Sequence, residues 1–225
     1  VSSRGHMTTK QIPDWKQYEW LITKILHDEH SEPNVTVLGD SRIRGEYSER
    51  SRQIDVLIEQ GSIRTIVECK HYDKPIDVKA AESFMSMMND VGAHFGVLIS
   101  SNGFTSSVPK RVREFGDRIK LEHLDWQEAY SASFAVESYG RVSDICSHCI
   151  ESYEIGRSVP GLLCWNHGLG IRQFGKFSMG SVGRCLKCKS YTVYCDSCGW
   201  VTVAEHEEPC CELRDVFYAH VAKET

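Results

Sequence analysis

Apolar residues near the start of the chain recur at the spacing of one helix face. They are Trp15, Tyr18, Ile22, Ile25 and Leu26, and positions three, four and seven apart lie on one side of a helix. Asp14 precedes this run and Gln17 follows three residues later, an arrangement typical of a capping box. The pattern predicts a first helix that is capped by Asp14 and buries this face.

Shorter apolar runs follow this helix and predict the rest of the first unit. We expect strands at 35–38, 54–60, 63–70, 95–100 and 119–122, a polar loop at 39–52, and helices at 77–91 and 106–115. The second helix should bury Val78, Ala81, Phe84, Met85 and Met88. The order of a helix, a three-strand meander and then alternating helices and strands indicates an α/β fold with a mixed sheet flanked by helices.

Cysteine usage divides the chain into two regions. Residues 8–130 contain one of the ten cysteines, whereas the region at 143–225 contains the other nine. Ser, Ala and Gly accumulate between the two regions, as expected of a domain boundary. Residues 1–6 precede Met7 and resemble an expression-vector scar, so the natural protein is expected to begin at Met7.

Overall composition sets the broad class of the protein. Hydrophobic residues make up 41% of the 225 positions, and no apolar run approaches the roughly 20 residues of a membrane helix. The composition therefore predicts a cytoplasmic protein without a membrane partner. The formal net charge of −5 argues against coating of nucleic acid, so positive charge for a nucleic-acid partner must be local.

Two carboxylates are predicted to face each other on a hairpin. Gly61 and Ser62 separate two β-rich runs and are typical of a two-residue turn. Counting back from this turn places Asp55 opposite Glu68, with their Cβ atoms about 4.5–5.5 Å apart. Paired acids repel unless a cation lies between them, and Mg²⁺ prefers such oxygen ligands.

Strand alternation adds a lysine to the two acids. Glu68 and Lys70 point to the same face, whereas Cys69 points to the other and is expected to be a buried apolar residue. Mg²⁺, or Mn²⁺ in its place, would activate a water and stabilise charge on a phosphodiester, and Lys70 would assist. The alternative is an ordinary Glu–Lys ion pair on an exposed strand.

These residues resemble the Asp…Glu-x-Lys signature of the PD-(D/E)XK nucleases. The flanking segments Tyr18-Glu19, 96–100, 103–105 and 119–121 are similar to the Mrr-type restriction endonuclease subfamily. The resemblance covers roughly residues 14–126 and implies a restriction-endonuclease-like fold. It also implies that Asp55, Glu68 and the backbone carbonyl of Cys69 ligate the metal. Glu68 departs from the subfamily, where Gln is frequent, but it is the standard acid of the wider superfamily.

Glu19 is a further candidate for the active site. It shares the helical stripe of Trp15 and Ile22, so its carboxylate should face the core and require a partner. The resemblance implies a first-helix glutamate near the metal. The alternative is that Glu19 reaches solvent or pairs with Lys16.

Four ligand pairs in the second region are typical of zinc binding. They are Cys146 and Cys149, Cys164 and His167, Cys185 and Cys188, and Cys195 and Cys198. Eight ligands suit two structural Zn²⁺ ions. Sequential pairing puts the first four ligands on one ion and the last four on the other, in a zinc-ribbon-like domain, and an interleaved pairing remains open. Further candidate ligands are His148, His206, Cys210 and Cys211.

Basic residues accumulate in the zinc region without acids between them. They are Arg157, Arg172, Lys176, Arg184, Lys187 and Lys189, with Trp165, Phe174 and Phe177 interleaved. This composition favours contact with DNA, and the alternative is a solvated basic face. Two further basic groups are Arg42, Arg44, Arg50 and Arg52, and Lys110, Arg111 and Arg113.

The sequence therefore predicts a Mg²⁺-dependent DNA endonuclease with a zinc module that assists DNA binding. By family analogy alone its role is restriction or genome defence. Cutting both strands of a duplex would suit a homodimer. Three alternatives stay open: a structure-specific or RNA nuclease with the same site, a catalytically silent DNA-binding protein, and a zinc-scaffolded interaction module with a nuclease effector.

Overall fold

The first helix begins as its apolar pattern predicts but is not capped as predicted. In the computed structural model, which describes residues 12–32, 34–135, 144–150, 158–173, 176–195, 199–203 and 206, α1 spans Asp14–Glu29 and its N-cap is Pro13. The Gln17 amide donates to the Ile12 carbonyl at 2.9 Å, and its oxygen accepts from the amide of Val159 at 2.6 Å. The predicted capping box is wrong because a distant backbone group binds Gln17.

Five strands form the first sheet, in the order β1-β2-β3-β4-β5. They span Val35–Arg44, Ser51–Gln60, Ile63–Lys70, Phe95–Ser100 and Ile119–His123. The first three pair antiparallel, and β3, β4 and β5 run parallel. The predicted mixed sheet is confirmed, and its meander gives way to crossover connections through helices.

The predicted polar loop at 39–52 is wrong. β1 continues to Arg44 and β2 begins at Ser51, so only a short turn separates them. Asp90 holds this turn, since its carboxylate accepts from the amide and hydroxyl of Ser48 and from Arg52 Nε at 2.5 Å. These hydrogen bonds, with that of Ser48 the largest cause, lower the pKa of Asp90. Polar composition did not reveal the strands because they are half-exposed.

Helices cover both faces of the sheet. α2 spans Val78–Asp90, and its N-cap Asp77 accepts from the Ala80 amide at 2.9 Å. α3 spans Ser107–Val112, a 3₁₀ helix follows at Arg113–Arg118, and α4 spans Trp126–Ala135. One core cluster joins α2 and α3 to the sheet and includes Ala81, Phe84, Met85 and Met88, with Val78 partly buried. The other lies beneath α1 and α4.

The second region contributes a separate antiparallel sheet. A short helix, α5, spans Ser147–Ile150. Strands β6 to β9 follow in sequence order at Leu163–Gln173, Lys176–Cys185, Tyr191–Cys195 and Val201–Val203. A register shift interrupts β6 and β7 between Asn166 and Leu169.

The second region packs directly against α1. Val159, Leu162, Cys164 and Leu186 belong to the same hydrophobic cluster as Tyr18 and Leu21 of α1. Lys24 is fully buried at this contact, and its ammonium pairs with Asp28 and with Asp144 at 3.4 Å. A buried lysine needs such partners. Because Asp144 belongs to the second region, Lys24 joins α1 to that region by an ion pair as well as by apolar packing. Among the described residues, no helix has the length and apolarity that crossing a membrane requires.

Candidate active site

The hairpin of β2 and β3 has the register that its turn predicts. Gln60 pairs with Ile63, Ile58 with Thr65, and Val56 with Val67. Gly61 has φ of 58°, a conformation that costs glycine little. Regular pairing ends at Val56 and Val67, one residue before the two acids.

Asp55 reaches across the end of the hairpin to the backbone of β3. Its Oδ2 accepts a hydrogen bond from the Cys69 amide at 2.8 Å. This bond holds the Asp55 carboxylate next to the backbone of Cys69, which lies between Glu68 and Lys70 in the sequence. Asp55 is therefore held by main chain, which leaves its second oxygen available to a ligand.

The residues expected to be catalytic line one cavity of about 320 Å³. They are Glu19, Asp55, Glu68 and Lys70, from α1, β2 and β3. The cavity is completed by Trp15, Gln53, Cys69, His71, Tyr72 and Met87. The structure thus brings together residues separated by as many as 51 positions, from Glu19 to Lys70.

Burial and mutual repulsion of the acids dominate the electrostatics of this cavity. Burial, followed by the charges of Glu68 and Glu19, raises the pKa of Asp55 to about 7. Burial also raises the pKa of Glu19, although Lys16 opposes this change. Acids that repel in a desolvated cavity are stabilised by a cation. The donor set therefore fits a hard divalent ion.

Glu19 pairs with Lys16, one of the alternatives that its sequence position left open, and its role in the active site stays a prediction. Its carboxylate is buried and pairs with Lys16 Nζ at 2.7 Å. The same ammonium lies 3.3 Å from Asp40, so two acids share it. Glu19 nevertheless lines the cavity of Asp55 and Glu68. Pairing with Lys16 compensates its burial while it stays beside the other acids.

Lys70 lies against Glu68 and beside Tyr72. Its ammonium hydrogen-bonds the Glu68 carboxylate and lies 5.9 Å from the centre of the Tyr72 ring. Although burial opposes it, the Glu68 charge and hydrogen bond raise the pKa of Lys70. Lys70 therefore carries its positive charge at neutral pH, as an electrostatic role at a phosphate requires.

Cys69 directs its side chain away from the acids. The thiol lies in the hydrophobic cluster with Tyr18 and Leu21, and burial raises its pKa well above the usual value. Thiolate chemistry requires a lowered pKa, so the side chain is a packing residue as the strand alternation predicted. Only its backbone faces the site.

Sequence reasoning missed five residues that line the cavity. Trp15 was expected to face the core with Tyr18, but it is 49% exposed, because it lies in the first turn of α1 where the helix borders the cavity. The other four are Gln53, His71, Tyr72 and Met87. Gln53 donates to Asp40 at 2.9 Å. The only sequence signal for His71 and Tyr72 was their position directly after Lys70.

A second cluster, in the C-terminal region, consists of four thiols. The Sγ atoms of Cys146, Cys149, Cys185 and Cys188 all lie within 4.8 Å of one another. The Cys146–Cys188 and Cys149–Cys185 sulfur distances are both 3.9 Å. A tetrahedron with Zn–S bonds of about 2.3 Å has sulfur–sulfur edges of about 3.8 Å, so the four cysteines fit one Zn²⁺.

This cluster corrects the sequential grouping of ligands. The first pair joins the third pair, and Cys164 is buried in the hydrophobic cluster with Leu162 and Leu186 instead. Burial raises the pKa of the Cys164 thiol to about 12. Strand pairing explains why Cys164 is not in the cluster. Leu163 on β6 lies opposite Cys185 on β7, so the neighbouring Cys164 points to the other face of the sheet.

The remaining predicted ligands are placed only in part. Cys195 is buried on β8, whereas Cys198, Cys210, Cys211 and the side chain of His167 lie outside the described residues. Cys164 and Cys195 oppose β7 residues that are four positions apart, Arg184 and Gly180, or about 13 Å. Cys164 therefore cannot share an ion with Cys195.

The turns after Cys185 and Cys195 have the same backbone hydrogen bonds. The amide of Lys189 donates to the Cys185 carbonyl at 3.0 Å, and that of Gly199 to the Cys195 carbonyl at 2.7 Å. Both donor residues have positive φ, 65° and 71°. The first turn carries two cysteines of the four-thiol cluster, and the described residues Cys195 and Gly199 share its hydrogen bond and positive φ.

The predicted DNA-contacting residues of the zinc region divide between surface and core. Arg184 is exposed and lies 5.7 Å from the centre of the Tyr191 ring. Trp165 was expected to contact nucleic acid, but it is buried against Cys146 and Cys185, because it lies on the same face of the sheet as Cys185. Arg157, Phe174 and the side chains of Arg172, Lys176 and Phe177 lie outside the described residues.

Of the other basic groups, three arginines are paired with acids. Arg111 Nε contacts Glu82 at 2.8 Å, Arg44 contacts Glu49 at 3.3 Å, and Arg52 contacts Asp90. Their charges are therefore partly compensated, and they contribute less to a DNA-binding surface than the sequence indicated.

Comparison with known proteins agrees with this geometry. A family model described as restriction endonuclease, Mrr_cat, matches residues 13–125. No curated protein matches the chain significantly.

Three solved structures are similar to part of the chain. A protein of unknown function, AF1548, has 19% identity over 48% of this chain and 57% of its own, with a TM-score of 0.41. The modification-dependent restriction endonuclease AspBHI has 14% identity over 59% and 39%, with a TM-score of 0.27. MspJI restriction endonuclease in complex with a 27-mer oligonucleotide has 13% identity over 52% and 27%, with a TM-score of 0.33. The chain thus spans less than two thirds of each.

Proposed function

The chain belongs to the Mrr-type restriction endonuclease family, and from that membership we propose that it is a Mg²⁺-dependent DNA endonuclease that hydrolyses phosphodiester bonds. The observation that carries the proposal is the convergence of Asp55, Glu68 and Lys70 on one cavity. Two desolvated acids that repel each other, beside a charged lysine, are suited to a divalent ion and a phosphate.

The metal would be held by the open side of the hairpin. Asp55 and Glu68 would provide carboxylate oxygens, and the Cys69 carbonyl would provide a third, while the Cys69 amide keeps Asp55 in place. A bound Mg²⁺ supplies Lewis acidity, which lowers the pKa of water and neutralises phosphate charge. Mn²⁺ accepts the same ligands.

Lys70 and Glu19 would act on the reacting groups and on the ligands. Lys70 is held by Glu68, so its ammonium can orient the attacking water and stabilise the negative charge that develops on the phosphate. Glu19 lies in the same cavity and repels Asp55. It thereby favours cation binding and can orient water on the α1 side of the site.

The zinc module would support the fold and contribute to DNA affinity. Cys146, Cys149, Cys185 and Cys188 would hold one structural Zn²⁺. A second Zn²⁺ is proposed at the turn of Cys195 and Cys198, with His167 among its ligands. Arg184 lies on β7 next to Cys185, and Lys187 and Lys189 flank Cys188 just after that strand, so metal binding would order a basic surface.

The biological role that we propose is restriction or genome defence in the cytoplasm. It rests on the family to which the chain belongs. One hairpin site hydrolyses one strand, so cleavage of both strands of a duplex would require two copies of the chain, and a homodimer is the simplest arrangement.

Incubation of the purified protein with Mg²⁺ and DNA tests the activity. We expect cleavage of linear and plasmid DNA with Mg²⁺, none with a chelator, and none by the Glu68→Gln variant. Electrophoresis of single-stranded, duplex, methylated, branched and RNA substrates would define the substrate. DNA binding without cleavage of any of these would contradict the enzymatic function and favour a silent DNA-binding protein.

A further inference from the structure

Two exposed aromatic rings stand at the mouth of the catalytic cavity. Trp15, on the first turn of α1, is 49% exposed, and Tyr72, two residues beyond Lys70, is 53% exposed. Both line the same cavity as Asp55 and Glu68. Large apolar surfaces gain free energy on burial. Their position therefore marks a contact surface for whatever occupies the site.

A lysine accompanies each ring. Lys16 Nζ lies 5.9 Å from the centre of the Trp15 ring, and Lys70 Nζ lies 5.9 Å from that of Tyr72. Carboxylates hold both ammonium groups in place, Glu19 for Lys16 and Glu68 for Lys70. A polynucleotide alternates aromatic bases with anionic phosphates, so a ring with an adjacent cation matches one nucleotide.

Aromatic packing beneath the site fixes the segment that carries Tyr72. The His71 ring packs against the rings of Tyr18 and Trp126, at centroid distances of 5.3 Å and 5.2 Å, and those two rings also contact each other. Its Nδ1 lies 2.9 Å from the Ser101 hydroxyl. Because two rings and a hydroxyl hold His71, the adjoining Tyr72 is presented at a defined place next to Lys70.

Rings in this position distinguish unpaired bases from paired ones. Within a duplex both faces of a base are covered by its neighbours, so a protein ring gains little unless the base is extruded. An unpaired base exposes its face, and stacking on it is tolerant of base identity. Aromatic rings at the catalytic cavity therefore favour a strand that is single or locally opened.

Resting on the proposed nuclease function, we propose that Trp15 and Tyr72 form a stacking site for unpaired nucleobases that flank the scissile phosphate. The substrate class is then a single-stranded or locally opened nucleic acid, such as a flap, a bubble or a free end. The rings distinguish unpaired bases from paired ones, and the acids and Lys70 perform hydrolysis.

Binding measurements on a variant that does not cleave test the proposal. In full-length Glu68→Gln protein, fluorescence anisotropy would follow a labelled single-stranded oligonucleotide and a duplex of the same sequence. We expect Trp15→Ala and Tyr72→Ala each to weaken single-strand binding roughly tenfold, and Phe at either position to preserve it. Tyr47→Ala is the matched control, because Tyr47 is 81% exposed on the turn between β1 and β2; its removal should change nothing.

An abasic oligonucleotide separates stacking from other effects of the substitutions. The sugar–phosphate chain alone should bind Trp15→Ala as tightly as it binds the parent protein, since no base is present to stack. Equal losses on abasic and base-containing strands would overturn the proposal, as would equal losses on the duplex. Single-stranded RNA of the same sequence should show the same dependence on the rings.

These measurements are independent of cleavage. A wild-type protein that hydrolyses no nucleic acid would refute the nuclease function, yet the ring-dependent binding would still be present if the stacking site exists. A protein that cleaves duplex DNA with full activity after both rings are replaced would retain the nuclease function and refute the stacking site.

Discussion

The carboxylate of Asp55 accepts a hydrogen bond from the backbone amide of Cys69, at 2.8 Å across the open end of a hairpin. This bond binds one acid of the site to the strand that carries Glu68 and Lys70. It also lowers the pKa of Asp55, but burial and the neighbouring acids outweigh it, and the pKa rises to about 7. The hydrogen bond therefore holds the Asp55 carboxylate close to Glu68 although the charges of the two acids repel each other.

Replacing either acid should abolish cleavage while preserving the fold. An acid whose pKa is raised in the folded chain opposes folding increasingly as the pH rises above its unfolded pKa, and the full cost is present above the folded pKa of about 7. Asp55→Asn removes this penalty, so the metal-free protein should gain roughly 1–3 kcal/mol of stability near pH 8. Urea unfolding with a chelator measures it, and loss of stability together with activity would indicate a structural role.

Metal affinity should decrease as the pH falls through about 7. Below this pH the Asp55 carboxyl is protonated, and a proton competes with the ion for the oxygen. We expect Mn²⁺ binding to weaken by up to about tenfold per pH unit on the acid side. Glu19→Gln should move the midpoint to lower pH, because it removes one repelling charge. Calorimetric titration at several pH values tests both, and a flat profile would exclude Asp55 as a ligand.

Lys70→Ala should stop cleavage but leave metal binding intact, since the lysine acts on water and phosphate. Single-turnover cleavage combined with Mn²⁺ titration separates these two effects. Cys69→Ala is the control: its thiol lies in the core, so activity should persist with a packing cost of about 1 kcal/mol. Activity lost only in the Cys69 variant would instead indicate thiol chemistry.

Cys188→Ser should release zinc and destabilise the second sheet. Cys188 is one of four thiols in the cluster, and three sulfurs do not complete a structural tetrahedron. Cys164→Ala is matched to it, because Cys164 lies outside this cluster among apolar residues. Metal analysis should find one zinc fewer per chain only for Cys188→Ser. Equal loss in the Cys164 variant would contradict the grouping found here.

Joint replacement of Arg184, Lys187 and Lys189 by Ala should weaken duplex binding and flatten its salt dependence. Each lost phosphate contact lowers the slope by about one. Lys110→Ala with Arg113→Ala gives a comparison at the basic group on α3 and the adjoining 3₁₀ helix. Affinity measured over a range of salt concentrations decides the point, and an unchanged slope would assign the zinc-region residues to a solvated face.

The sequence by itself determined the elements whose signals are local. The turn at Gly61 set the β2–β3 register and hence the place of Asp55 beside Glu68 and Lys70, because antiparallel pairing propagates rigidly from a two-residue loop. Strand alternation likewise separated Cys69 from the acids. The apolar period also located β4 at Phe95–Ser100, since a continuous buried run has few alternative structures.

Tertiary structure alone decided the contacts between distant segments. Gln17 does not form the capping box because its side-chain oxygen accepts a hydrogen bond from the Val159 amide, which lies 142 positions away in the sequence. A partner at that distance cannot be predicted from a local sequence pattern. Cys146 and Cys149 lie beside Cys185 and Cys188 because β6 and β7, in the segment between the two cysteine pairs, pair with each other. The spacing of the cysteines in the sequence did not determine this grouping. The exposure of Trp15 depends on the cavity that the first turn of α1 borders. Helical periodicity specifies a face of a helix, but which part of that face is covered depends on the packing of the whole chain.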